Sequence, residues 1–272
     1  MKVAYLGPPG TFGEEAARRM TPGATHLPFP SHAAVAAAVE SGAADLGVVA
    51  IENALSGSVA ETLDILIHDT NVEIQSEFVL PVVHNVVVTP GAALTRITVI
   101  YSHTQVFGQC RRYIEATFPN AQVEAALSTS EAVERALKHG PQAAAIATER
   151  AAELHGGEIL ARGIQDVSTN ATRFLLLGRG RPAPTGNDRT SIAFWFANDR
   201  PGSLAGVLNE FASRQINCTK IESRPTRTAF GEYVFLIDFE GHRDEPAGRQ
   251  VLAAIAPRCS RVKVFGSYPR HG

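Results

Sequence analysis

The chain has 272 residues, 44% hydrophobic and 19% charged, with a formal net charge of −2. That composition describes an ordinary globular protein with room for two domains, and it supplies no basic field to draw in a nucleic acid. Three cysteines, Cys110, Cys218 and Cys259, are odd in number and lack any CxxC spacing, which fits reduced thiols better than a disulfide framework or a zinc site. The start, "MKVAYLGPPGTF", shows no signal-peptide organisation, and apolar runs such as "AAVAAAV" are too short to span a bilayer. A cytoplasmic protein without membrane partners is the expectation.

In chain order, "KVAYLG" (2–7), "DLGVVAI" (45–51), "RITVIYS" (96–102) and "AAAIAT" (143–148) read as buried strands, rich in Val, Ile and Ala with little polar alternation. Helices are predicted between them over 12–21, 31–41, 57–68, 103–118 and 129–139, with Ser31, Ser102 and Thr129 as N-caps. The alternation argues for a doubly wound α/β domain. Residues 72–88, "VEIQSEFVLPVVHNVVV", run extended for longer than a usual strand, with Pro81 inside. Such a segment leaves one sheet and enters another, and a return crossing near 162–167 completes two lobes with a cleft between them. After the Gly- and Pro-rich linker 178–190, the order becomes "SIAFWFA", a helix over 201–214, "CTKIESRPTR", "EYVFLIDFEG", a helix over 245–256 and "RVKVFGSY". This is the ferredoxin-like βαββαβ order.

Three turns hand a strand over to a helix with glycine or hydroxyl side chains: "GPPGTF" with Thr11, "IENALSGSVAETL" with Ser56, Gly57 and Ser58, and "YSHTQVFGQC" with Ser102, His103, Thr104 and Gln105. Helix starts offer unpaired N–H groups, so such turns can hold a carboxylate, although each taken alone reads first as a cap. Arg173, at the head of "TRFLLLG", carries the two-pronged donor fork that suits a carboxylate. A salt bridge to Glu52 or Asp166 is its alternative. No spacing fits a metal site, a Ser/His/Asp triad or a phosphate loop.

In this order and spacing, "GPPGTFGEEAA", "IENALSGSVAETLDIL", "SHTQVFGQC", "STSEAV", "IQDVSTNATRFLLLGR", "GSLAGVLNEFASRQIN" and "TKIESRPTR" resemble prephenate dehydratase with a C-terminal ACT regulatory domain. The resemblance implies an α/β two-lobed, periplasmic-binding-protein-like catalytic domain over 1–184, with lobe one about 1–78 plus 164–184 and lobe two about 79–163. An α+β ferredoxin-like ACT domain follows over 185–272. It implies conversion of prephenate to phenylpyruvate, water and carbon dioxide, with no metal or organic cofactor because aromatisation drives the reaction. Phenylalanine is the implied allosteric inhibitor.

The Thr-Arg-Phe motif of the family falls on Thr172, Arg173 and Phe174 as catalytic residues. Arg173 is then expected on a substrate carboxylate, Thr172 on the departing hydroxyl and Phe174 in the cleft wall. Thr11, Asn53, Ser56, Ser58, Ser102, His103 and Gln105 are the implied substrate-binding set. Gly202, Ser203, Leu204, Glu222, Ser223, Arg224 and Pro225 are the implied effector residues, placed at a subunit interface of a homodimer or homotetramer. Ala54 and Thr104 depart from the family's usual serine and proline. With no helical chorismate mutase segment before Met1, a monofunctional enzyme is expected. Arogenate dehydratase and a non-catalytic amino-acid sensor are the rival readings.

Overall fold

The computed structural model describes residues 1–198, 200–227 and 231–271. Lobe one opens with β1 (Lys2–Leu6), α1 (Phe12–Met20), β2 (Thr25–Phe29), α2 (His32–Glu40) and β3 (Leu46–Asn53). It continues with the two-residue strand β4 (Gly57–Ser58), the short α3 (Ala60–Asp64), a π-helical turn over Ile65–Asp69 and β5 (Glu73–Pro81). The helix predicted over 57–68 is therefore a hairpin strand, one α-helical turn and a π turn. Asn53 pairs with Gly57, and Gly57 sits at φ 77°, a backbone shape that a helix start would not need.

Lobe two holds β6 (Asn85–Val88), β7 (Val99–Ser102), α4 (Thr104–Gln109), α5 (Arg111–Thr117), β8 (Gln122–Ala125), α6 (Thr129–His139), β9 (Ala143–Ala147), α7 (Glu149–His155) and β10 (Glu158–Ala161). The helix predicted over 103–118 breaks in two at Cys110. Ser31 caps α2 as expected, but His103 caps α4 and Ser128 caps α6, each one residue from its predicted position. β11 (Ala171–Gly178) then returns the chain to lobe one. The sheet orders are β2-β1-β3-β11-β5 and β10-β6-β9-β7-β8. β1 runs parallel to β2 and β3, whereas β11 runs antiparallel to both β3 and β5. The sheets are thus mixed rather than parallel throughout. The crossings between lobes lie at 82–84 and 162–170.

The last domain comprises β12 (Asp188–Trp195), α8 (Ser203–Ala212), β13 (Cys218–Pro225), β14 (Tyr233–Glu240), α9 (Pro246–Ile255) and β15 (Arg261–Pro269), with sheet order β13-β14-β12-β15. Its helices cover one face, where Phe194, Val207, Phe211, Ile237, Phe239 and Val251 form a core. The other face joins lobe one: Ala193, Leu236, Phe265 and Tyr268 share one buried cluster with Ile51, Leu66, Ile74 and Leu175. The approach is close at Gly266, where a Cβ would lie 2.7 Å from the Ile74 carbonyl oxygen. The two domains are joined by a common core as well as by the connecting segment.

Candidate functional site

The cleft between the lobes encloses about 380 Å³. Its wall draws on the turn after β1, the β3–β4 hairpin, the start of α4, the start of α6 and the head of β11. The turn after β1 also holds the lobes together. A Cβ on Gly10 would lie 2.6 Å from Ser130 Oγ and 3.1 Å from Ala151 Cα, and the Thr148 hydroxyl donates to the Gly10 carbonyl at 2.6 Å. Only glycine lets lobe one approach lobe two so closely here.

Thr172 stands at the centre of the polar wall. Asn53 Oδ1 accepts from the backbone N–H groups of Leu55 and Ser56, both at 3.0 Å. That fixes the amide so that Nδ2 donates to Asn170 Oδ1 at 2.9 Å and to Thr172 Oγ1 at 3.0 Å. With its oxygen already accepting from Asn53, the Thr172 hydroxyl keeps its own hydrogen to offer to the cleft. Across the opening, Gln105 Nε2 donates to Ser56 Oγ at 2.7 Å and ties α4 of lobe two to the hairpin of lobe one. Thr11 caps α1, and its hydroxyl donates to the Pro8 carbonyl at 3.0 Å. His103 accepts from the Gln105 N–H through Nδ1. Phe174 is 3% exposed, packs with Val3, Tyr5 and Leu80, and lines the cleft.

Of the ten catalytic and substrate-binding candidates read from the sequence, Thr11, Asn53, Ser56, Ser58, His103, Gln105, Thr172 and Phe174 line this cavity. Two do not. Ser102 is fully buried and donates to the Ile146 carbonyl at 2.7 Å, so its hydroxyl braces β7 against β9. Arg173 points to the opposite face of β11, where its guanidinium reaches Glu52 at 3.1 Å, Glu77 at 3.2 Å and Asp238 of β14 at 2.9 Å. Neighbouring residues of a strand face opposite sides, so Thr172 in the cleft places Arg173 at the domain junction. Burial works against its charge, but Asp238 and Glu77 more than offset this and raise its pKa above the ordinary arginine value. In this structure the guanidinium expected on a substrate carboxylate is engaged at the domain junction and is not among the residues lining the cleft. The Glu52 bridge is found, whereas Asp166 accepts from the Arg112 backbone N–H instead.

No lysine or arginine is among the described lining residues, and the imidazoles there are those of His32, His84 and His103. Sequence reasoning did not assign His32, His84, Gln109, Ser128 or Thr129 to the cleft, although all five line it. Ala54 and Thr104 are exposed and are not among the lining residues. No group of metal-ligating side chains that could hold an ion is found among the described residues.

The implied effector residues face two ways. Gly202, at φ 88°, caps α8, the Ser203 hydroxyl accepts from the Arg200 N–H, and Leu204 packs on the helix-side core. On β13, Glu222 accepts from Ser58 Oγ at 2.6 Å and Arg224 reaches both oxygens of Asp64 at 3.0 Å, while Ser223 and Pro225 are exposed. Lys220 donates to Ser58 Oγ at 2.6 Å and stands 3.5 Å from Glu52. The strand therefore grips the same β3–β4 hairpin that carries Asn53.

The family model described as Prephenate dehydratase matches residues 3–182, and that described as ACT domain matches residues 190–257. The chain belongs to the prephenate dehydratase family. A prephenate dehydratase of Mycolicibacterium vanbaalenii is 38% identical over 98% of this chain and 90% of its own. The structure of an Arthrobacter aurescens prephenate dehydratase in complex with L-Phe superposes with a TM-score of 0.91 at 34% identity, covering 99% of this chain and 90% of that one. A structure described as GqqA, a novel type of quorum quenching acylase, also gives 0.91, at 30% identity, over 100% of this chain and 98% of that one. The cleft just described thus lies within the part of the chain that the prephenate dehydratase model matches.

Proposed function

We propose that this member of the prephenate dehydratase family binds prephenate in the interlobe cleft and there converts it to phenylpyruvate, water and carbon dioxide. The observation that carries the assignment is the Asn53–Thr172 hydrogen bond at 3.0 Å, which turns a threonine hydroxyl into an aimed donor. Thr172 Oγ–H meets the C4 hydroxyl of the substrate, and the bond strengthens as that oxygen gains charge on leaving. Phe174 and the neighbouring apolar wall shield the ring. Without a fixed cation, the carboxylates are met by the Ser56 hydroxyl and the Gln105 amide, by His103, and by the start of α1, while the hydroxyl hydrogens of Thr11 and Ser58 are already given to the Pro8 carbonyl and to Glu222. No organic cofactor or metal enters this scheme, since aromatisation supplies the driving force.

The described hydrogen bonds join no cleft hydroxyl to an imidazole. The acyl chemistry named for one structural neighbour would lack a base beside its nucleophile here.

Phenylalanine is the proposed effector, bound by the ACT domain and opposing turnover, in keeping with the L-Phe complex of the Arthrobacter protein. Gly202 to Leu204 form the proposed receiving turn. Glu222 and Arg224, already engaged with lobe one, transmit the event to the hairpin. β13 is an edge strand whose Ile221 is 49% exposed, which supports side-by-side pairing of two ACT domains in a homodimer or homotetramer. Among the described residues no helix is long and apolar enough to cross a membrane, and a cytoplasmic location is part of the proposal.

The test incubates purified protein with prephenate or arogenate and follows phenylpyruvate or phenylalanine. Prephenate turnover is expected. Preference for arogenate would reassign the substrate, and no turnover of either would leave the amino-acid sensor.

A further inference from the structure

The proposed reaction consumes a proton. Prephenate enters as a dianion, carbon dioxide and water leave neutral, and phenylpyruvate carries one negative charge. Thr172 offers a hydrogen bond, but an alcohol is too weak an acid to be the net source. Among the described lining residues the imidazoles, the side-chain type suited to general acid work, are those of His32, His84 and His103.

His84 is set apart by its surroundings. It lies on the 82–84 crossing, only 1% exposed. Its backbone N–H donates to Gln165 Oε1 at 3.1 Å, and its carbonyl accepts from the Ile164 N–H at 2.9 Å, so it bolts one crossing to the other. The ring stands edge-on to Phe12 at 5.6 Å, and Nε2 lies 2.8 Å from Gln109 Oε1. With that oxygen as acceptor, Nε2 carries a hydrogen and Nδ1 is left with its lone pair. Among the described residues Nδ1 has no hydrogen-bond partner, although it is buried. His103 Nδ1, by contrast, is occupied in capping α4. The ring of His32 also has a partnerless Nδ1, but it opens α2 within lobe one, away from the crossings. His84 lies three residues beyond the end of β5, whose Leu80 pairs with Thr172.

We infer that His84 takes up a proton as the dianionic substrate enters and delivers it from Nδ1 to the departing C4 oxygen. This rests on the function proposed above. The Nδ1–H bond breaks and an O–H bond forms. The C4–O bond breaks with its electron pair going to oxygen, which leaves as water. The bond from the ring to its carboxylate breaks, its electron pair completes the aromatic ring, and carbon dioxide departs. Imidazole is left neutral and is recharged from solvent in the next cycle.

In the free protein burial favours the neutral His84 imidazole, pushing its pKa below the ordinary histidine value against a smaller opposing pull from the Gln109 hydrogen bond. Charged groups on the packed elements are engaged elsewhere. On α1, Glu14 pairs with Arg18 and Arg150, and Glu15 with Arg19; on the return crossing, Arg162 pairs with Glu149, and Asp166 accepts from the Arg112 N–H. A carboxylate arriving beside the ring favours the charged imidazolium and so raises its pKa again. The substrate thereby charges its own acid.

The test measures kcat and KM for prephenate between about pH 6 and 9 on the full chain, for wild type, His84→Gln and His84→Asn. Wild-type kcat should fall about tenfold per pH unit above one pKa. Both variants should lose about 10²–10⁴-fold in kcat and lose that alkaline limb, with smaller changes in KM. Thermal melting and phenylalanine calorimetry report whether each variant is folded. A folded variant that keeps kcat within about threefold of wild type, or keeps the limb, overturns the inference. A flat wild-type kcat profile overturns it whether or not the variants fold. Failure of the wild type to turn over prephenate would instead refute the function proposed above.

Discussion

Arg173→Met separates a guanidinium that serves the domain junction from one that serves the substrate. Breaking one side of a buried ion pair costs about 3–5 kcal/mol. Here part of that is compensated: Glu77 keeps Arg189 at 2.6 Å, and the Glu52 side chain, 38% exposed, keeps water. Asp238 is left with the Ser191 hydroxyl at 2.6 Å as its close donor. The loss should therefore sit near the lower end, about 3 kcal/mol, or roughly 6–12 °C in Tm for a chain of this size. Adding Asp238→Asn removes the stranded charge and should recover about 1–2 kcal/mol. Thermal melts of the two single variants and the double variant, read beside KM for prephenate, make the assay. If Arg173→Met melts within about 2 °C of wild type while KM rises tenfold or more, the guanidinium belongs to the substrate after all.

Thr172→Ala should lower kcat by about 10²–10³-fold and KM far less, as expected for a hydrogen bond that strengthens in the transition state, whereas Thr172→Ser should keep most of the rate; steady-state kinetics on both decides it. Lys220→Met and Glu222→Gln should each raise the phenylalanine concentration for half-inhibition about tenfold while calorimetric affinity falls much less. Equal losses in both measurements would put those charges in the effector pocket itself. For His32 and His84, burial lowers the pKa in the folded chain. The unfolded imidazoles thus bind protons first as the pH falls through the ordinary histidine range. Stability is full above that range and declines below it, so the urea midpoint should drop between about pH 7.5 and 5.5. A midpoint that rises would reverse the sign.

The hydrophobic runs and the two crossings disclosed the α/β architecture, because buried strands must be apolar and a strand interrupted near Pro81 can change sheets. What the runs did not reveal was strand direction: nothing in "FLLLG" tells that β11 enters antiparallel between β3 and β5. Asn53, Ser56 and Gln105 were legible because they sit at strand ends and helix starts, where side chains turn toward a cleft. Arg173 was grouped with Thr172 and Phe174 by reading three adjacent residues as one site, whereas here it faces the domain junction. The alternation of a strand already forbids Thr172 and Arg173 from facing the same way, and that signal was present in the sequence. His84 and Gln109 gave no comparable cue, since their pairing at 2.8 Å joins a crossing to a helix and depends on how two lobes close. The contacts of Lys220 with Ser58 and Glu52 likewise join residues more than a hundred and fifty positions apart.

A cleft whose described walls carry no permanent positive charge holds its guest with oriented dipoles, and such a grip loosens as the guest's charge shrinks. Once carbon dioxide has left, the remaining molecule bears half the negative charge of the one that entered, and one of the two anchors has gone. A salt-bridged pocket would cling to phenylpyruvate through its surviving carboxylate. This one is built to let go, so the departure of product and the arrival of the next prephenate are favoured by the same electrical neutrality.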